Sequence, residues 1–200
     1  MLRLEGFENR NKKFLRTIDI SKFKESLASK DIEFIRDIQA RYVDLASWYF
    51  GLDAVPCGAS ILISLPLTED EIWSKSQLFH RDFDDTKILK IFVFLDESVG
   101  TNGRLHVVPK PKSTHLRRKT RFFPIHKKDD VIFEHLSWDD VRVIDASQGD
   151  IAIVDTFACF HMGSRLRQED SERVVLQLVY TSRFNNQPKR ERSSHGAKTL

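Results

Sequence analysis

Lys87-Ile88-Leu89-Lys90-Ile91-Phe92-Val93-Phe94-Leu95 reads as the strongest strand in the chain. It is a run of β-branched and aromatic residues of strand length, and Ile88, Lys90, Phe92 and Phe94 share one of its faces. Upstream, Ser76–Arg81 reads as a further strand. A loop over 66–75, with acidic residues and Trp73, separates it from a short β-branched strand over Ser60–Leu65. Downstream, two Gly and an Asn make Asp96–Gly103 a turn, and Arg104–Pro109 reads as the next strand. Residues 110–140 leave the strand framework: they are Pro-rich, then basic, with a short helix expected near Ser137–Val141. Strands resume at Val141–Asp145, at Ile151–Asp155 after a Ser147–Asp150 turn, at Ala158–Met162 and at Arg173–Ser182.

The N-terminal quarter has a different period. Residues 1–16 are charged and mixed, an edge strand or a loose arm. From Asp19, the spacing of Ile20, Phe23 and Leu27 predicts a helix. Ile35, Ile38, Tyr42 and Leu45 predict a second one from about Asp31, ending at Phe50-Gly51. The fold class expected is therefore mainly β with flanking helices. About eight short strands at regular spacing suggest an antiparallel double sheet, a jelly roll or cupin-like barrel. One domain is expected over 1–184, with a helical scaffold at 1–55, a β core at 56–184 carrying the insertion 110–140, and a polar tail at 185–200.

Composition sets the bounds. The chain has 200 residues, 40% of them hydrophobic, with 15 Phe, enough for one sizeable core. Two cysteines without CxxC spacing fit a reducing cytoplasm, not a disulfide scaffold. Charge interrupts the apolar residues at the N-terminus, so no signal-peptide core forms. No apolar run reaches the roughly 18 residues of a membrane span. The expected location is cytoplasmic.

The chemistry starts at His80-Arg81-Asp82. On a strand, residues two apart share a face, so His80 and Asp82 could grip one metal ion. Such a pair arises easily by chance and needs a third ligand. His161, in Cys159-Phe-His-Met-Gly163, sits in a late apolar strand that a jelly roll can bring beside an early one. Two His and one carboxylate leave coordination positions open, the arrangement of non-haem Fe(II) oxygenases. Structural zinc prefers four protein ligands, often Cys, and fits less well. Arg173 heads the apolar strand Val174–Tyr180, where a guanidinium can hold a carboxylate bidentately or simply sit in solvent.

Phe79-His-Arg-Asp-Phe83, a strand ending Phe94-Leu-Asp96, Asn102-Gly-Arg-Leu-His-Val-Val-Pro109, Gly149-Asp150, His161 and Arg173 follow in order. Over residues 60–182 this series resembles phytanoyl-CoA dioxygenase-like Fe(II)/2-oxoglutarate oxygenases. The metal motif is generic to the wider superfamily, and the Asn-Gly…Val-Pro stretch points to this branch. The resemblance implies a double-stranded β-helix and one Fe(II) on His80, Asp82 and His161. It implies 2-oxoglutarate as cosubstrate, with its distal carboxylate on Arg173 and further contacts from Gln77 and Phe92. It also implies O2 as oxidant, with release of succinate and CO2. Related halogenases carry a small residue where this chain has Asp82, so a carboxylate there implies hydroxylation or a related oxidation. Two departures concern the cosubstrate's secondary contacts. The usual Pro-Gly-Ser-His is Pro109-Lys-Pro-Lys-Ser-Thr-His115 here, and Gly163 precedes Ser164 after the third ligand. Lys90 competes with Arg173 for the carboxylate.

From Val99 to Lys128 there is no Asp or Glu, while Arg104, Lys110, Lys112, Arg117, Arg118, Lys119, Arg121, Lys127 and Lys128 fall in that span. One reading is a small, anionic organic substrate steered by this field; the other is a solvated loop. His115 and His126 could join a substrate network or be plain surface residues, and Phe122-Phe123 a lid wedge or packing. A nucleic-acid-binding module using the basic stretch and Lys189–Arg192 ranks lower, since aromatic and basic residues do not interleave. A non-catalytic cupin-like protein is the remaining alternative. Sequence says nothing about oligomeric state.

Overall fold

The computed structural model describes residues 12–20, 29–96 and 103–182, with the side chains of residues 29–32 outside that description. In chain order the elements are β1 Leu15–Asp19, α1 Ser29–Arg41, α2 Val43–Phe50, β2 Ala54–Ser64, β3 Ile88–Phe94, β4 Leu105–Val107, α3 Lys110–Lys119, α4 Asp129–Phe133, β5 Arg142–Ile144, β6 Ile151–Asp155, β7 His161–Met162 and β8 Arg173–Ser182. One sheet has the order β1-β2-β8-β3-β6 and the other β5-β4-β7. Every pairing within them is antiparallel. This is the jelly-roll, cupin-like double sheet that the strand pattern predicts.

The period-two alternation of β3 and β8 separates two cores. Leu89 and Ile91 of β3, with Leu176, Leu178 and Tyr180 of β8, pack against α1 and α2 through Ile35, Ile38, Ala46 and Phe50. Phe92, Phe94 and Val175 face inward and meet Leu105, Val107 and Ile144 of the small sheet. A third cluster, with Phe79, Val108, Leu116, Ile132 and Met162, lies where α3 and α4 meet the small sheet. Tyr180 is fully buried, and its hydroxyl donates to the Gln39 carbonyl at 2.8 Å, tying β8 to α1.

Several sequence expectations change. Residues 15–19 form an edge strand on β2, with Leu15 opposite Ser64 and Asp19 opposite Ser60, so Asp19 does not start a helix. The unpaired edge of β2 supplies partners that the local helical spacing does not reveal. Phe23 and Leu27 lie outside the described residues. The expected helix from Asp31 is two, α1 and α2, meeting at Tyr42; Gly51 then closes α2 at φ 69°, its N–H reaching the carbonyls of Ser47 and Trp48. Strand β2 begins before Pro56. A bulge between Pro56 and Gly58 absorbs the irregularity, on a stretch whose only strand partner among the described residues is β8.

Ser76–Arg81 is not a strand. Lys75–Gln77 is a 3-10 turn closed by a reciprocal cap between Ser74 and Gln77, and only Phe79 and His80 make isolated bridges. Ala158–Met162 shrinks to the two residues of β7. The basic excursion contains α3 and α4. In α3, Pro111 sits in the first turn, and Arg117, Arg118 and Lys119 complement the carbonyl end. Only Ser113 and Leu116 of α3 are buried, so the sequence carries no visible apolar stripe. Asn102 and the tail 183–200 lie outside the described residues. Among those described, no helix is long and apolar enough to cross a membrane.

Candidate metal centre

The segment around His80 is placed by hydrogen bonds to other elements. His80 N–H donates to the His161 carbonyl at 3.0 Å, and His161 N–H returns the bond to His80 at 2.9 Å. Residues exchanging both bonds in an antiparallel pair stand directly opposite, with side chains on one face. The imidazole centroids are accordingly 4.3 Å apart. Asp82 N–H donates to the Thr156 carbonyl at 2.9 Å, which brings the carboxylate to the same face. One ligand atom from each of His80, Asp82 and His161 lies within 4.8 Å of the others.

Each imidazole is oriented through its far nitrogen. His80 Nδ1 lies 2.9 Å from the Leu78 carbonyl, and His161 Nδ1 lies 3.2 Å from the Cys159 carbonyl. A carbonyl only accepts, so each Nδ1 carries the proton and each Nε2 keeps its lone pair. Burial, reinforced by the neighbouring His161, pushes the His80 pKa down to about 3, and burial lowers that of His161 as well. Both rings are therefore neutral. The 3.8 Å approach of His161 Nε2 to Asp82 Oδ2 is two donors facing one point, not an ion pair. Burial alone would raise the Asp82 carboxyl; Lys90, His161 and His80 outweigh it and hold it below the usual carboxylate range. The nearest cation is Lys90, whose Nζ stands 2.8 Å from Asp82 Oδ2. Two neutral imidazoles with free Nε2 atoms and one ionised carboxylate fit a divalent transition metal.

A cavity of about 270 Å³ opens from these residues into the double sheet. Lys90, Phe92 and Phe94 of β3 line it, as do Arg173, Val175 and Gln177 of β8. Phe92 faces Gln177 and Phe94 faces Val175 across the ladder. Lys90 and Arg173 thus end this inward row at opposite extremes. Arg173 donates to the Gly103 carbonyl and, at 3.4 Å, to Ser164 Oγ, while its Nε has no partner among the described residues. Burial lowers its pKa to about 10, which leaves it a cation at neutral pH.

Gln77 does not line this cavity. It is fully buried, its amide nitrogen donates to the Ser164 carbonyl at 2.9 Å, and its oxygen accepts from Ser74 N–H at 3.2 Å. The cavity-facing amide is Gln177, which sequence reading passed over, although its alternation with Arg173 in β8 marked it. Ser164 also lines the cavity; it follows Gly163 at φ 64° and accepts the Arg173 contact. His126 stands 5.2 Å, ring to ring, from His80, whereas His115 is exposed on α3.

Gly103 supports this arrangement and cannot carry a side chain. It adopts φ +74°, and an added Cβ would lie 2.4 Å from Leu166 Cδ2. Leu166 is buried, so its side chain would have to repack against its neighbours to make room. Gly103→Ala should cost about 2–5 kcal/mol, from left-handed backbone strain plus overpacking. Urea midpoints would read the loss, and an unchanged midpoint would contradict this packing.

No protein-family model matches the chain. No curated protein matches it either. Solved structures do. SnoN, a non-haem alpha-ketoglutarate-dependent epimerase from nogalamycin biosynthesis, superposes with a TM-score of 0.57 at 15% identity, over 84% of this chain and 63% of its own. EvdO2 from Micromonospora carbonacea var. aurantiaca, complexed with 2-oxoglutarate, gives a TM-score of 0.51 at 17% identity, over 84% of this chain and 67% of its own. EctD from S. alaskensis with bound Fe gives 0.50 at 18% identity, over 74% of this chain and 51% of its own. The fold is that of the non-haem iron, 2-oxoglutarate-dependent enzymes. SnoN of this fold has also been solved with Fe3+, alpha-ketoglutarate and nogalamycin RO. The chain spans 35% of EvdMO1, 71% of AviO1 and 63% of SnoN. At these identities the likeness carries the fold alone.

Proposed function

We propose that this chain is an Fe(II)- and 2-oxoglutarate-dependent oxygenase of the hydroxylating type, acting on a small organic substrate with release of succinate and CO2. The supporting observation is that His80, Asp82 and His161 converge on one point of a cavity that also holds the half-buried cation Arg173. His80, Asp82 and His161 would hold the iron, which supplies oxygen activation when bound. Arg173 would take the distal carboxylate of 2-oxoglutarate. Its free Nε and its place at the far end of the inward row from Asp82 favour it over Lys90, which is paired with the carboxylate ligand. Phe92 would wall the cosubstrate on one side. Gln177, not Gln77, is the amide placed to donate to it. A carboxylate at position 82 supports hydroxylation, because it fills the position a halide would need. The phytanoyl-CoA dioxygenase-like branch rests on the residues of the 102–109 stretch, of which Asn102 lies outside the described residues.

Anaerobic addition of Fe(II) and 2-oxoglutarate should give a visible charge-transfer band, and admitting air should release succinate. No band, with no iron retained after reconstitution, would refute the oxygenase reading and leave a non-catalytic protein of this fold.

A further inference from the structure

Arg81 lies between two of the proposed ligands and points the other way. His80 and Asp82 line the first cavity, whereas Arg81 and Phe83 line a second one of about 360 Å³, and the two cavities share no residue. Alternation of side chains along an extended segment produces this split. Arg81 is only 5% exposed. Its Nη1 donates to the Phe157 carbonyl at 2.7 Å, and its guanidinium lies 4.7 Å from the Phe83 ring and 5.4 Å from that of Phe157. Ring quadrupoles attract a cation without neutralising it. Among the described residues, Arg81 has no ion pair. The carboxylate acting on it through space, Asp155, already accepts from the Tyr49 hydroxyl and from Ala158 N–H.

Two more guanidinium groups, those of Arg117 and Arg121, border the same cavity and likewise lack an ion pair among the described residues. Three other cations of the basic stretch are paired, Arg104, Lys110 and Lys112 with Asp145, Asp155 and Asp140. Lys127 turns its ammonium onto the carbonyls of Arg121 and Phe122 and so holds that turn against the cavity. The guanidinium groups of Arg81 and Arg117 face the same cavity closely enough to repel each other. A buried guanidinium without a carboxylate partner, as at Arg81, is costly unless an anion joins it, and the two exposed guanidinium groups beside it add to the attraction for one. One carboxylate would leave three cations undercompensated. A phosphate monoester carries about −1.5 to −2 at neutral pH and offers three acceptor oxygens to guanidinium forks. The other wall is aromatic and open: Phe83 is 37% and Phe122 55% exposed, with ring centroids 5.0 Å apart.

We propose that the cavity bounded by Arg81, Arg117, Arg121, Phe83, Phe122 and Phe157 is a second binding site, taking a phosphate monoester whose organic part is aromatic or apolar. The phosphate sits on the guanidinium groups and the organic group against the phenyl rings. The site faces away from the proposed metal ligands and does not depend on iron.

Calorimetric titration of phenyl phosphate and of inorganic phosphate into the full chain at low ionic strength tests this, with and without Fe(II). Phenyl phosphate should bind one-to-one in both states and more tightly than inorganic phosphate. Removal of buried Arg81 risks the fold, so the exposed Arg117 and Arg121 carry the test. Arg117→Ala with Arg121→Ala should weaken phenyl phosphate at least about tenfold, the loss of charge-assisted bonds. Phe122→Ala should remove the preference for phenyl phosphate over inorganic phosphate. Arg173→Ala, in the other cavity, should leave the titration unchanged. No binding by the unmodified chain, undiminished binding by the double variant, or loss of binding in Arg173→Ala would each overturn the proposal.

Discussion

Asp82→Ala should leave the chain unable to retain iron and should abolish succinate release. It removes the only carboxylate of the candidate donor set, and two neutral imidazoles do not replace it. The same change strands Lys90. Its ammonium and the Asp82 carboxylate are 15% and 13% exposed as side chains, so this is a mostly buried pair. Removing one partner of a buried pair costs about 3–5 kcal/mol, because the other charge stays desolvated and uncompensated. The variant should therefore lose stability as well as metal. Asp82→Ala combined with Lys90→Met separates the two effects. The double variant should recover most of the stability, since Met fills the Lys stem's volume without a charge, and should still bind no iron. Iron content after anaerobic reconstitution and urea midpoints are the measurements. Iron retained at full occupancy by Asp82→Ala would move the metal centre elsewhere.

Arg173→Ala should weaken 2-oxoglutarate binding by about 2–4 kcal/mol, or roughly 30- to 1000-fold, the loss of a bidentate charge-assisted contact. Lys90→Ala should change that affinity little, because Lys90 stands beside Asp82 at the opposite end of the inward row. Arg173→Lys should recover only part of the loss, since an ammonium cannot present two parallel donors. Titration of the anaerobic charge-transfer band reads each affinity. Steep loss in Lys90→Ala with normal affinity in Arg173→Ala would reverse the orientation of the cosubstrate. Gly103→Ala links this site to stability: the glycine carbonyl that accepts from Arg173 belongs to the backbone that the added methyl would displace.

The parts of the fold legible in the chain are those with a strong local period. Ile88–Phe94 and Arg173–Ser182 become the neighbouring strands β3 and β8, and their alternation shows which of Lys90, Phe92 and Arg173 face inward. Helix α3 was hidden because its only buried residues, Ser113 and Leu116, make no stripe. Gln77 shows another limit. A polar residue three before His80 suggests a cosubstrate contact, but its side chain is held by Ser74 and Ser164. A capping box and a ligand contact use the same residue types, and spacing does not separate them.

By itself, the sequence supplied the candidate donor set, the jelly-roll class and the cation at the head of β8, because alternation and residue chemistry are local properties. Only the tertiary structure decided that His80 and His161 pair directly across a sequence separation of 81 residues, since their reciprocal hydrogen bonds depend on how two sheets close. It also assigned Lys90 to Asp82, turned Gln77 away from the cavity, and gathered Arg81, Arg117 and Arg121 around an open space. Each of these depends on which distant side chain occupies the adjoining volume, and no local pattern encodes that.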